Sequence, residues 1–79
     1  MEGRFSLVEL GSGKAARIVR IEGGFGMQRR LQSLGIRSGV TVRKISSALR
    51  PGAVVVEVSG AQTALGYGVA RKIILECGE

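Results

Sequence analysis

Gly23-Gly24-Phe25-Gly26-Met27-Gln28-Arg29-Arg30-Leu31-Gln32-Ser33-Leu34-Gly35-Ile36-Arg37-Ser38-Gly39 is the stretch around which the rest of the chain is arranged. Met27, Leu31 and Leu34 recur at i, i+4 and i+7, a spacing that puts three apolar side chains on one face of a short helix. Arg29 then points nearly the opposite way. Three glycines precede the helix where the chain must leave a strand and turn, and Gly35 stands where a left-handed C-terminal cap is expected. Everything else reads as short strands, so the helix is expected to lie across a small sheet as its lid, anchored by Leu31 and Leu34.

Before the helix, Met1 to Arg4 read as loose. Ser6-Leu7-Val8-Glu9 has the form of a capping box, with Phe5 and Leu10 at the flanking staple positions, enough for one helical turn. Gly11-Ser12-Gly13-Lys14 is not a phosphate loop, because that pattern needs a glycine where Val8 stands and a Ser or Thr where Ala15 stands; it reads as a plain turn. Ala15 to Ile21 is a strand whose alternation breaks near its end, as a bulge would make it do.

Beyond Gly39, Val40 to Ile45 forms the second strand, carrying Arg43 and Lys44, and Ser46 to Gly52 is a loop with Leu49 at its tip and a Pro51-Gly52 turn. Ala53 to Val58 is the clearest strand, with Val54, Val56 and Val58 on one face and Val55 and Glu57 on the other; Gly60 ends it. Thr63 to Tyr67 gives a further short strand, Gly66-Tyr67-Gly68 a tight turn carrying Val69 and Ala70, and Ile73 and Leu75 close the sheet. Five short strands with one helix between the first two predict a mainly β fold, a small five-stranded SH3-like barrel, occupying residues 1–79 as a single domain.

The totals constrain chemistry as well as fold. A chain of 79 residues buries only about 60% of the surface its unfolded form exposes, so there is room for one core. With 44% hydrophobic residues and Phe5, Phe25 and Tyr67 as the aromatics, that core is built from Val, Ile, Leu and Ala. Twelve Lys and Arg against six acidic residues give a net charge of +6, and there is no His; all six acids are Glu. Without His, Ser-His and Cys-His nucleophile pairs cannot be assembled, which argues against an enzyme. Only Glu and Cys77 could ligate a metal, and no spacing groups them, so neither a metal site nor a cofactor is expected. The basic excess favours an acidic protein, a nucleic acid or an anionic membrane without choosing among them. Cys77 stands alone near the chain end and cannot make an internal disulfide. Met1 to Gly11 lacks the apolar run of a signal peptide and no stretch approaches a membrane span, so the cytoplasm is the expected compartment.

Taken together, Ser6 to Leu10, Gly13 with Ile18, Gly23-Gly24, Arg30-Leu31-Gln32-Ser33-Leu34-Gly35-Ile36 followed by Gly39, Pro51-Gly52 with the valine strand and Gly60, then Ala64-Leu65-Gly66, Ala70 and Ile73, resemble the FeoA family of small cytoplasmic proteins of bacterial ferrous iron uptake. The most specific part is the Arg-Leu-x-x-Leu-Gly-Ile-x-x-Gly run. The resemblance implies an SH3-like barrel without enzymatic activity that contacts the cytoplasmic GTP-binding portion of the membrane transporter FeoB and assists or regulates uptake rather than carrying iron. Ala48-Leu49-Arg50 beside Pro51, and Gly66 after Ala64-Leu65, depart from the charged residues the family often has there.

Five residues are candidates for partner binding: Arg29 and Arg30 as direct contacts from the outer helix face, Leu31 as the anchor that holds the helix in place, Leu49 as an apolar tip, and Tyr67, which offers apolar area and a hydroxyl together. A nucleic-acid-binding SH3-like module is the alternative. Net charge supports it, whereas three scattered aromatics offer a poor base-stacking platform. Exposed edge strands of such a barrel can also pair with a second copy, giving a weak homo-oligomer.

Overall fold

Alternation of apolar and polar residues decides most of the architecture. The computed structural model describes residues 3–46 and 52–77, and within them six strands form one antiparallel sheet. In chain order these are β1 (Arg4–Ser6), β2 (Ala15–Ile21), β3 (Thr41–Ser46), β4 (Ala53–Val58), β5 (Ala61–Gly66) and β6 (Ile73–Cys77). A single 3-10 turn, Leu7–Glu9, follows β1; helix α1, Phe25–Ser33, joins β2 to β3; and a one-turn helix α2, Tyr67–Ala70, joins β5 to β6. The sheet order is β1-β6-β2-β3-β4-β5, the arrangement of a small SH3-like barrel, with β1 and β5 as its edges among the described residues.

The first strand corrects the expectation that Arg4 is loose and that there are five strands; Met1 and Glu2 lie outside the described residues. Arg4, Phe5 and Ser6 pair with Glu76, Leu75 and Ile74 of β6. Three residues carry no alternation signal of their own; β6 supplies the template. The capping sequence behaves as its pattern requires, the Ser6 N–H donating to Glu9 Oε1 at 2.9 Å, with Leu7 and Leu10 buried. Gly11 to Lys14 is a turn, closed by the Lys14 N–H on the Gly11 carbonyl.

In β2 the register against β6 shifts between Ile18 and Arg20, so the bulge falls at Val19. Ile18 stays in the core while Arg20 reaches solvent and pairs with Glu22. β4 buries Val54, Val56 and Val58 and leaves Val55 and Glu57 half-covered. Its hairpin to β5 turns through Ser59 (φ 53°) and Gly60 (φ 85°), the two left-handed residues of a type I′ turn, whose twist matches the strands it joins. The ladder then runs without interruption from Val58↔Ala61 to Ala53↔Gly66. Gly66-Tyr67-Gly68-Val69-Ala70 is not the tight turn the glycines suggest. Tyr67 opens α2, its N–H donating to the Gly52 carbonyl, and Ala70 is buried.

The core is aliphatic. Ile18, Ile36, Val42, Val54, Val56, Ile73 and Leu75 are fully enclosed, with Phe5 packed at the margin. Lys44, on β3, is also buried, and its ammonium donates to the carbonyls of Val8 (3.0 Å) and Leu10 (2.8 Å), fastening the 3-10 turn to the sheet.

A candidate protein-docking groove

Helix α1 is held at both ends by contacts that its sequence dictates. At its start, the Gln28 side-chain amide donates to the carbonyls of Ile21 and Gly23, at 3.1 Å each, tying the first turn to the end of β2. At its end, Gly35 takes φ +84°, the Gly35 N–H reaches the Gln32 carbonyl and the Ile36 N–H reaches the Leu31 carbonyl, both at 2.9 Å. This is a Schellman termination, and its usual apolar contact joins the residue after the glycine to one in the last turn. Here those two are Ile36 and Leu31, both buried.

That ending corrects the expectation for Leu34. The helix stops at Ser33, and Leu34, as the capping residue, has left helical geometry (φ −95°, ψ 4°). Ile36 occupies the core position that continued periodicity would have given to Leu34, which is 47% exposed. Leu31, at 2% exposed, is the anchor. Arg29 and Arg30 lie on the exposed side of α1, as expected; Arg29 stacks its guanidinium over the Phe25 ring, 5.6 Å from the centroid. Phe25 itself is 77% exposed.

Between α1 and the far edge of the sheet lies a groove of about 480 Å³. Gly26, Met27, Arg30, Leu31 and Leu34 form its helical wall, and Ala64, Leu65, Gly66 and Val69 form the wall from β5 and α2. Of the predicted residues, Arg30 and Leu31 therefore meet here. Tyr67 is 44% exposed on α2, next to the groove-lining Gly66. Leu49 lies outside the described residues. Leu34, Met27 and Val69 line the groove without having been singled out as contacts. One signal in the sequence does point to it: no acidic residue occurs between Glu22 and Glu57, nor from Ser59 to Leu75, so α1, β5 and α2 contain no carboxylate.

The charge pairs lie elsewhere. Among the described residues the ion pairs are Arg4–Glu76, Arg17–Glu76 and Arg20–Glu22, all on strands or strand ends at the opposite side of the sheet order. None engages Arg29 or Arg30. A second recess, lined by Arg4, Phe5, Glu9, Leu10 and Lys14, has its carboxylate occupied by the Ser6 N–H. Among the described residues no group of three or more Cys, His, Asp or Glu side chains could hold a metal ion, and no helix is long and apolar enough to cross a membrane. Cys77 is an exposed free thiol at the end of β6.

The fold is a small SH3-like barrel with one helix, α1, beside an apolar groove that Arg30 borders. Residues 5–77 match the FeoA domain model, and the chain belongs to the FeoA family. A protein of Methanocaldococcus jannaschii, provisionally named Fe(2+) transport protein A, is 33% identical over 67 residues, covering 85% of this chain and 79% of its own length. The crystal structure of an iron uptake regulatory protein, FeoA, superposes with a TM-score of 0.84 at 28% identity, covering 94% of this chain and 97% of that one. A manganese-dependent transcriptional repressor in complex with manganese contains the same fold, with a TM-score of 0.87 at 22% identity; 98% of this chain matches 38% of the repressor. The FeoA family is one of ferrous iron transport accessory proteins.

Proposed function

We propose that this protein is a non-enzymatic cytoplasmic accessory factor of ferrous iron transport that binds the cytoplasmic GTP-binding region of a FeoB-type transporter and thereby assists or regulates uptake. Family membership supplies the process. The observation that carries the mode of action is the groove between α1 and β5, an apolar channel rimmed by Arg30 and lined by no carboxylate among the described residues. Apolar floor and cationic rim together suit a protein surface that is itself part apolar and part acidic. Absence of His and Asp from the sequence supports a role without catalysis, since the commonest general base is missing.

The test is a titration against the isolated cytoplasmic domain of the cognate transporter at about 150 mM salt, where surface charges are screened beyond about 8 Å, with an RNA pool as competitor. Binding should survive the RNA and weaken in Arg30→Glu, with Arg30→Lys less affected because lysine keeps the charge but loses the bidentate fork. Equal losses in the two variants would remove Arg30 from the interface. Salt-sensitive RNA binding without transporter binding would replace this reading with the nucleic-acid one.

A further inference from the structure

We infer that the groove accepts an extended, acidic and apolar segment of a partner protein, which adds as a seventh strand to the free edge of β5. The position of the groove comes first. Ala64 pairs opposite Val55 on the outer face of the sheet, whereas Leu65 pairs opposite Val54 on the core face and is buried. Only the rim of the strand touches both faces, so a groove lined by both Ala64 and Leu65 runs along the edge of β5 itself.

Hairpin geometry then identifies the free backbone groups. A two-residue type I′ turn makes the residues flanking it, Val58 and Ala61, a hydrogen-bonded pair, and such pairs alternate along an antiparallel ladder. Ala61, Thr63 and Leu65 therefore bond to β4, and the N–H and C=O groups of Gln62 and Ala64 point outward. Among the described residues, no strand other than β4 neighbours β5 in the sheet.

This edge lacks the devices that keep edges unpaired. Ala61-Gln62-Thr63-Ala64-Leu65-Gly66 has no charge and no proline, and its ladder has no bulge; proteins ordinarily blunt an exposed edge with one of these. The other edge, β1, is three residues long and bears Arg4. Across the groove from β5 stands α1, so an added strand would bond to β5 on one side and lay alternate side chains against Met27, Leu31 and Leu34 on the other. Strand addition beside a helix is an established mode of peptide capture, with main-chain bonds giving affinity and side-chain pockets giving selectivity.

Charge selects the occupant. Arg29 and Arg30 on α1 and Arg71 just after α2 flank the groove elements, and those elements carry no acid. A second copy pairing edge to edge would bring two such cationic surfaces together, whereas a partner strand with glutamates between its apolar residues would answer Arg30. The inference rests on the protein-binding role proposed above and can fail without it.

The experiment is an amide-resolved NMR titration of the full chain with the blocked peptide acetyl-Val-Glu-Val-Glu-Val-Glu-Val-amide and, separately, with its lysine counterpart. The glutamate peptide should shift and slow the exchange of the Gln62 and Ala64 amides and bind roughly tenfold more tightly than the lysine peptide, a factor expected of charge complementarity at a partly desolvated rim. Ala64→Pro deletes one outward N–H at a position where an edge strand tolerates proline. It should weaken binding roughly tenfold, as loss of a main-chain bond in a peptide groove does. Arg30→Glu should reverse the peptide preference. Equal affinity for the two peptides, or no protection of Gln62 and Ala64 by the glutamate peptide, overturns the inference. Protection that grows with protein concentration alone assigns the edge to a second copy, and protection by polyuridylate that the peptide cannot displace assigns it to nucleic acid; either result also overturns it. Transporter-domain binding that leaves both amides unprotected would leave the accessory role standing and remove strand addition.

Discussion

Leu31 and Leu34 sit three residues apart in the sequence, and their substitution by alanine should have opposite profiles in stability and binding. Leu31 is 2% exposed and packs with Ile36 inside the core; truncating a leucine so enclosed costs about 2–5 kcal/mol, transfer and cavity terms together. At about 0.05–0.15 kcal/mol per residue, a domain of this size has about 4–12 kcal/mol to lose. Leu31→Ala therefore removes a large share of it. Leu34 is 47% exposed, so roughly half of the 1.5–3 kcal/mol that full burial is worth is at stake, about 1 kcal/mol. Urea unfolding followed by circular dichroism, with the slopes compared to confirm that the same surface is exposed, measures both. In thermal unfolding Leu34→Ala should lower Tm by about 4–8 °C, and Leu31→Ala by more than about 10 °C. Folded Leu34→Ala should nevertheless lose binding, because its side chain forms part of the groove wall. Equal stability losses at the two positions would mean that Leu34 is packed like Leu31, and the groove as described would not exist.

Lys44→Met should destabilise by about 2–4 kcal/mol in urea titration, since the Leu10 carbonyl loses its donor in a buried place and the Val8 carbonyl loses its donor in a half-buried one; a change under about 0.5 kcal/mol would mean that relief of ammonium desolvation cancels the lost bonds. Gly35→Ala should cost about 1–2 kcal/mol from the left-handed backbone alone, because a Cβ there would meet only Val58 at an ordinary 3.7 Å; a smaller loss in the same titration would show that the cap shifts without penalty. Glu76→Gln removes the common partner of Arg4 and Arg17, both more than half exposed, and should change stability by less than about 1 kcal/mol, with no difference between low and high salt larger than that.

What could be read in advance depended on how local each signal was. Ala53–Val58 was legible to the residue because strict alternation needs nothing beyond the strand itself, and Gly35 was legible because only a left-handed cap explains a glycine after that helix. The bulge at Val19 showed as a break in the same alternation. β1 was missed because Arg4-Phe5-Ser6 is extended only by virtue of β6, seventy residues away in sequence. Periodicity alone places Leu34 in the core because it does not register the Schellman turn, which redirects the chain after Ser33 and gives the core position to Ile36. At Tyr67–Ala70 the glycines concealed a helical turn, fixed by the bond from the Tyr67 N–H to the Gly52 carbonyl. The groove could not be seen as a groove, since its two walls are brought together only by the fold. The long acid-free stretches that line it are plain in the sequence, but nothing local says that they face each other. Lys44 looked like one more surface cation, and nothing local announced that two carbonyls from the 3-10 turn would enclose it.

The place of β6 sets a timetable for synthesis. It is the last strand of the described chain to leave the ribosome, yet in the sheet it lies between β1 and β2, the first two made. Until Ile73–Cys77 has emerged, Arg4–Ser6 has no neighbour to bond to and β2 has only β3. The hairpins of β3, β4 and β5 can form in order as they appear, but the N-terminal strand waits for the C-terminal one. Such closure by contacts distant in sequence slows folding relative to local pairing, so a nascent chain cut short before β6 would present β2 as an unpaired edge to whatever chain is translated beside it.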